Sequence, residues 1–159
     1  MGQIISKEGI KADPQHIKAI KEFKTSNCKA DIRLLLGMLN YLSEFIPNLS
    51  KLSAPLRSLL KIDLEFVWDI EQEEHFEKLK SLLSTTPVIK DFNSNKEIVT
   101  QCDVSKDGLG SCLIQEGHPA SFVSSSLTET KQNYAQIDKK FWPLYFHLKD
   151  FTTSYMAEM

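Results

Sequence analysis

The chain has 159 residues with 42% apolar content, enough for a core that hides about 70% of the unfolded chain's surface on folding. Its 19 basic and 21 acidic residues leave a formal charge of −2, which gives no global attraction to phosphates or anionic lipid and disfavours a basic nucleic-acid-binding domain. Cys28, Cys102 and Cys112 are odd in number, form no C-x-x-C and are accompanied by only four histidines, so neither a disulfide framework nor a zinc knuckle is expected and a reducing compartment is the plainer setting. No apolar run approaches a membrane span and the N-terminus lacks the regions of a signal peptide; the expectation is a soluble cytoplasmic or nuclear protein.

The opening MGQIIS matches the M-G-x-x-x-[ST] pattern for myristoylation of Gly2. The preferred reading is instead a short strand, Gln3 to Ile5, turning at Gly9 into Ile10, with Ile4 and Ile5 in the core. Even when acylated, one lipid chain without a polybasic block anchors only marginally. Asp13 followed by Pro14 opens a helix through Phe23, because the carboxylate accepts from free N–H groups and proline at N1 loses no hydrogen bond.

Over KADIRLLLGMLNYLSEFI the residues Ile32, Leu35, Leu36, Leu39 and Leu42 recur at spacings of three and four, the stripe of an amphipathic helix ending near Pro47. Gly37 inside it costs about 1 kcal/mol of propensity, which points to close approach of another backbone. LSKLSAPLRSLL reads as a third helix carrying Leu52, Leu56, Leu59 and Leu60, with Pro55 near its start. Asp69 and Gln72 have the spacing of a capping box for a fourth, burying Phe76, Leu79, Leu82 and Leu83. Core packing accounts for all these stripes, with binding of a partner helix or nucleic acid as the alternative.

Charge then shifts: up to residue 90 there are 13 basic and 12 acidic residues, and from 91 onward 6 and 9. The period shifts with it. KEIVTQCDVS alternates like a strand, DGLG signals a turn or bulge, and SCLIQ and PASFVSS follow as strands, giving an antiparallel meander. Ser126 to Glu129 is cap-like, and Ile137, Phe141, Leu144, Tyr145 and Leu148 form the stripe of a helix over 134–151 laid on that sheet, interrupted by Pro143. The fold class expected is therefore α+β.

Chemistry has few places to reside. Asp103 at the end of the first sheet strand, with Asp107 beyond, sets a carboxylate on a rigid element where a divalent metal could be held; turn capping is the competing reading, stronger for Asp107 than for Asp103. Two-metal phosphodiester hydrolysis needs several converging carboxylates. The last helix offers Asp138, flanked by Lys139 and Lys140, which oppose a metal. Ser124, Ser125 and Ser126 lack a placed activating base and read as a polar strand exit. His75 and His147 have no companion at i+4 and read as satisfied or solvent-facing. Cys102 and Cys112 are expected to face each other on neighbouring strands as a reduced, buried pair. Trp68 and Trp142 offer stacking surfaces, but nothing basic brackets Trp68.

These segments, IISKEGIKADPQHIKAI, LLLGMLNYLSEFIPNLSKLSAPLRSLLK, FVWDIEQEEHFEKLKSLLSTTPVI, CDVSKDGLGSCLIQEGHPASFVSSSLT and NYAQIDKKFW, closely resemble the Pol polyprotein of gypsy-type long-terminal-repeat retrotransposons. The resemblance spans residues 2 to 155. It implies that 1–88 is a reverse transcriptase thumb and connection-like helical region, and that 89–159 is the N-terminal part of an RNase H-like domain, a partial three-stranded meander with a covering helix.

The family protein copies RNA into DNA and degrades the RNA of the hybrid with Mg²⁺ or Mn²⁺. Its polymerase carboxylates, including a Tyr-x-Asp-Asp motif, lie in a palm upstream of anything present here. The family motif Thr-Asp-Ala-Ser is similar to Cys102, Asp103, Val104 and Ser105, so Asp103 falls on the first RNase H carboxylate and its metal position. The family's helix motif Glu-Lys-Glu-Leu-Leu-Ala matches Asp138 to Pro143, which puts Lys140 where the metal-binding Glu is expected. Asp138 is two positions away, about 200° around a helix, and cannot replace it. An ion pair between Lys140 and Asp103 is one consequence of that exchange; a solvent-exposed lysine is the other.

The resemblance thus implies a Pol fragment, catalytically inactive as an isolated chain and with no cofactor of its own. Two alternatives stand beside it: a retained module that binds RNA/DNA hybrid or other Pol segments, and a nuclease completed by another chain. Membrane association is expected only if Gly2 is myristoylated.

Overall fold

The computed structural model describes residues 3–24, 28–62, 64–90, 92–93, 95–106 and 108–128. Gly2, Asp107 and the expected helix over 134–151, with Asp138, Lys139, Lys140, Trp142, Pro143 and His147, lie outside the described residues. Among the described residues no helix is long and apolar enough to cross a membrane.

A hairpin comes first, β1 (Gln3–Ser6) paired antiparallel with β2 (Gly9–Ala12). Ile4 and Ile5 are 46% and 79% exposed, against the expectation that they enter the core. β2 is the strand that faces inward: Ile10 exchanges hydrogen bonds of 2.7 and 3.0 Å with Ile89, and Ala12 is buried. β1 is thereby the outer ribbon. Gly9, at φ 128°, is required twice over, since a Cβ there also falls 2.2 Å from the Ile89 carbonyl oxygen.

Helix α1 (Pro14–Lys21) begins as expected, with Asp13 accepting from the Gln15 N–H at 2.8 Å. α2 (Lys29–Tyr41) buries Ile32, Leu35 and Leu39 and passes through a 3₁₀ turn, Ser43–Phe45, toward Pro47. A Cβ on Gly37 meets nothing within 4 Å, so no backbone of the described chain approaches it, contrary to expectation. The third helix is two short ones, α3 (Leu49–Leu52) and α4 (Ala54–Ser58). Pro55 lies in the first turn of α4, where its missing N–H costs nothing, and the chain restarts at Ser53.

α5 (Ile70–Ser84) carries the capping box, with Asp69 and Gln72 bonded reciprocally. Its Phe76, Leu79 and Leu83 join Ile20, Leu35 and Leu39 in the helical core. Trp68 is part of this packing, edge-on to Phe76 at 5.8 Å with its indole N–H donating to Glu73 at 2.6 Å.

The sheet is the expected meander, β3 (Val99–Val104), β4 (Gly108–Gln115) and β5 (His118–Ser126), all antiparallel with β4 central. Glu116 and Gly117, at φ 52° and 77°, make the tight β4–β5 turn. DGLG is only partly a turn: Ser105 closes the bend by bonding Gly108, and from Gly108 onward the chain is already strand. Cys102 pairs with Ser111, and Cys112 with Gln101. Because side chains alternate faces, the two thiols lie on opposite sides of the sheet, so the expected facing pair is absent; Cys102 is exposed and Cys112 half-buried.

Several contacts among the described residues tie helices to sheet. The 3₁₀ turn packs on β5, α3 packs on β4 and β5, and the Lys90 N–H donates to the Pro119 carbonyl at 3.1 Å. Phe122 reaches from the sheet into the helical core.

Candidate functional site

Asp103 sits on β3 directly opposite Gly110 of β4. That side of the sheet is met by the Pro47–Ser50 turn, where Asn48 adopts the left-handed conformation (φ 52°, ψ 33°) before α3 begins. Asparagine tolerates this region better than most residues. Its side-chain amide donates to Asp103 Oδ2 at 3.1 Å, a contact between residues 55 apart in sequence. Pro47, Asn48, Gln101, Asp103, Cys112 and Phe122 border a cleft of about 200 Å³ around this pair.

Two residues further, Ser50 repeats the arrangement over Gly108. Its hydroxyl donates to the Leu109 carbonyl and its N–H to Ser124 Oγ, both at 3.2 Å. Ser124 is therefore a latch in β5 and more than a polar strand exit. Ser124, Ser125 and Ser126 also border a larger cleft of about 440 Å³ beside Gly37, Asn40 and Arg57. Arg57 donates to the Ser50 carbonyl, and His75 Nδ1 lies 2.9 Å from the Leu52 carbonyl oxygen, a satisfied histidine. Burial pushes the Cys102 and Cys112 thiols up, which makes both weak nucleophiles at neutral pH.

Sequence reasoning places Asp103 on the right strand but misses Asn48, Ser50 and the role of the glycines. Gly108 and Gly110, spaced by two within a strand, are the available signal: glycine inside a strand marks close approach by another backbone. It also misses Gln115, 5% exposed, whose side chain accepts from Asn93 N–H at 2.9 Å and donates to the Asn93 carbonyl at 2.8 Å. That exchange fixes the segment leading into β3.

Enzymes of the reverse transcriptase and RNase H kind use divalent metals, which require several hard anionic ligands. Among the described residues no group of three or more His, Cys, Asp or Glu is placed to hold one. Around Asp103 the neighbouring side chains are the Asn48 and Gln101 amides and the Cys112 thiol, so the described donor set does not fit a magnesium or manganese ion. Lys140, the other residue singled out, lies outside the described residues.

Residues 68–157 match the family model described as the RNase H-like domain found in reverse transcriptase. The chain is 35% identical over 155 residues to the retrovirus-related Pol polyprotein from transposon 297 of Drosophila melanogaster, covering 95% of this chain and 14% of that protein. It is 30% identical over 154 residues to the transposon Tf2-3 polyprotein of Schizosaccharomyces pombe, covering 94% and 12%. Its fold matches the foamy viral protease-reverse transcriptase solved with dsDNA at TM-score 0.80 and 18% identity, over 96% of this chain and 33% of that one. The same viral protein with RNA/DNA hybrid gives 0.80 and 19%, over 94% and 21%. With its family match covering the larger part of its length, the chain belongs to the RNase H-like domain family found in reverse transcriptases and is related to the Pol polyproteins of retrotransposons.

Proposed function

We propose that this chain is a nucleic-acid-binding segment of a Pol-type reverse transcriptase, with a thumb and connection-like helical region over 1–88 and the N-terminal part of an RNase H-like domain over 89–159, and that by itself it hydrolyses no phosphodiester bond. The observation that carries this reading is the state of Asp103: the first RNase H carboxylate position holds an acid bonded to a neutral amide, with no second carboxylate beside it among the described residues. Lys140 in place of the expected Glu supports it, since an ammonium repels the ions that such chemistry requires. The intact family enzyme takes Mg²⁺ or Mn²⁺; this segment takes neither.

For binding, the solved relatives of like fold hold dsDNA and RNA/DNA hybrid. The exposed face of α2 presents Arg33, Gly37, Asn40 and Tyr41 at helical spacing. Among the described residues no atom lies within 4 Å of a Cβ on Gly37, so the helix bears a propensity cost at a position open to an external ligand. The net charge of −2 supplies no attraction to a duplex, so binding at this face rests on local contacts from Arg33, Asn40 and Tyr41.

The test is a hybrid-cleavage assay with Mg²⁺ or Mn²⁺, in which the chain shows no turnover above its own Asp103→Asn variant. Metal-dependent cleavage abolished by that substitution refutes the inactive reading. Lys140→Glu alone restores nothing. Binding is measured separately as hybrid affinity against salt; contact with phosphates gives a decline whose slope counts the cations engaged, and the absence of any binding at low salt ends the nucleic-acid part of the proposal.

A further inference from the structure

Two glycines on one side of β4 form a pair of notches, and each is filled by a residue of the Pro47–Ser50 turn. A Cβ on Gly110 falls 1.8 Å from Asn48 Oδ1, and a Cβ on Gly108 falls 2.3 Å from Ser50 Oγ. Neither position has room for a side chain of its own. Asn48 reaches its notch by way of left-handed backbone, and its amide nitrogen is aimed past Gly110 at the residue paired with it, Asp103. Ser50 then spends its N–H on Ser124 Oγ and its hydroxyl on the Leu109 carbonyl. The turn thus touches all three strands.

We infer that Asp103 is a positioning residue, acting through Asn48: its carboxylate fixes the amide that seats the turn in the β4 notches, and so sets where the helical region rests on the sheet. The acid at the family's first nuclease position then has a use that needs no metal. Two observations make the carboxylate the natural partner. Asn48 is a neutral donor, which requires an acceptor and nothing of opposite charge, and Asp103 is the only acidic side chain bordering that cleft among the described residues. An acceptor on β3 is reachable only because Gly110 leaves the line of approach open.

The readout is the hydrogen-exchange rate of the Ser50 N–H in the full chain, because that amide is bonded across the seam and not within a helix. Asp103 is exposed, so its variants keep the core. Asp103→Ala is expected to speed Ser50 exchange about tenfold, on the scale of one lost side-chain hydrogen bond. Asn48→Asp, which sets two carboxylates against each other, does the same. The exchange-of-roles variant Asn48→Asp with Asp103→Asn returns the rate to within about twofold of the parent, since a donor again faces an acceptor.

A merely structural role for either residue alone gives no such rescue, and its failure overturns the inference, as does an unchanged rate in Asp103→Ala. The remaining arm adds millimolar Mg²⁺ or Mn²⁺. No change in Ser50 exchange or melting temperature is expected; stabilisation by metal that disappears in Asp103→Asn shows that Asp103 serves an ion, with Asn48 as its support, and also overturns the inference. Loss of hybrid binding in any variant bears only on the nucleic-acid reading above.

Discussion

In the helical region Ile20, Leu35, Leu39, Phe76 and Leu79 meet as large side chains at 0–1% exposure, while the sheet face turned toward that region carries Gly108, Gly110, Cys112 and Ser124 beside one aromatic ring, Phe122. The first surface excludes water by area, at about 25 cal/mol for each Å² of apolar surface removed. The second does it by fit, with missing side chains admitting a turn and hydrogen bonds satisfying its polar groups. Leu109 and Leu113, at 2% and 5% exposure, alternate with the glycines and so turn away from the seam. The helical region is thus held by buried area, and the seam by fit and hydrogen bonds.

Substitutions sharpen or break that contrast. Phe76→Ala has the largest expected effect: the ring is fully buried, meets Phe23 and Trp68 edge-on, and lies under the Lys80 ammonium at 4.1 Å. A loss of about 3–5 kcal/mol in urea unfolding is expected for such a truncation, and a smaller loss means the cluster relaxes around the hole. Next comes Gly108→Ala, which adds one methyl group against Ser50 and within 3.1 Å of the Ser125 carbonyl oxygen. Overpacking of this kind costs about 1–3 kcal/mol; an effect near zero refutes the fitted seam. Asp69→Ala removes the capping box of α5 and should cost about 1 kcal/mol in the same measurement.

Gly37→Ala runs in the opposite direction. With nothing among the described residues within 4 Å of the new Cβ, it should stabilise α2 by up to about 1 kcal/mol while weakening hybrid binding, a split that thermal melting and a binding titration read independently. The smallest effect is electrostatic. Hydrogen bonding and charge from Lys96 hold the Glu116 carboxyl below its ordinary 4.5, and Lys11 does the same for Glu8. A lowered folded-state pKa contributes stability that is full above the unfolded value and fades as pH falls through the lowered one. Melting temperature should therefore decline slightly more below pH 4.5 in the parent than in Lys96→Met. The difference should shrink with added salt, since both partners face water.

Several of these positions can be read from the sequence alone. Asp13 with Pro14, Asp69 with Gln72, and the leucine spacing in α2 are local signals, acting within a turn or two of helix, and each appears where its chemistry places it. Ile4, Ile5 and the Cys102–Cys112 relation are not legible there, because which strand of a ribbon faces inward, and a register differing by one residue, are decided by partners far along the chain. Gly37 and Gly110 look alike in a sequence. Among the described residues one has no neighbour at its missing Cβ and the other holds an asparagine amide.

What the amino-acid order determined unaided was the run of helices followed by an antiparallel meander, since periodicity, caps and tight-turn residues act over a few positions. Only tertiary structure decided that Asp103 would meet Asn48 and Ser124 would meet Ser50, pairs 55 and 74 residues apart. Such contacts depend on the summed geometry of every intervening element, and no short pattern in the chain carries that sum.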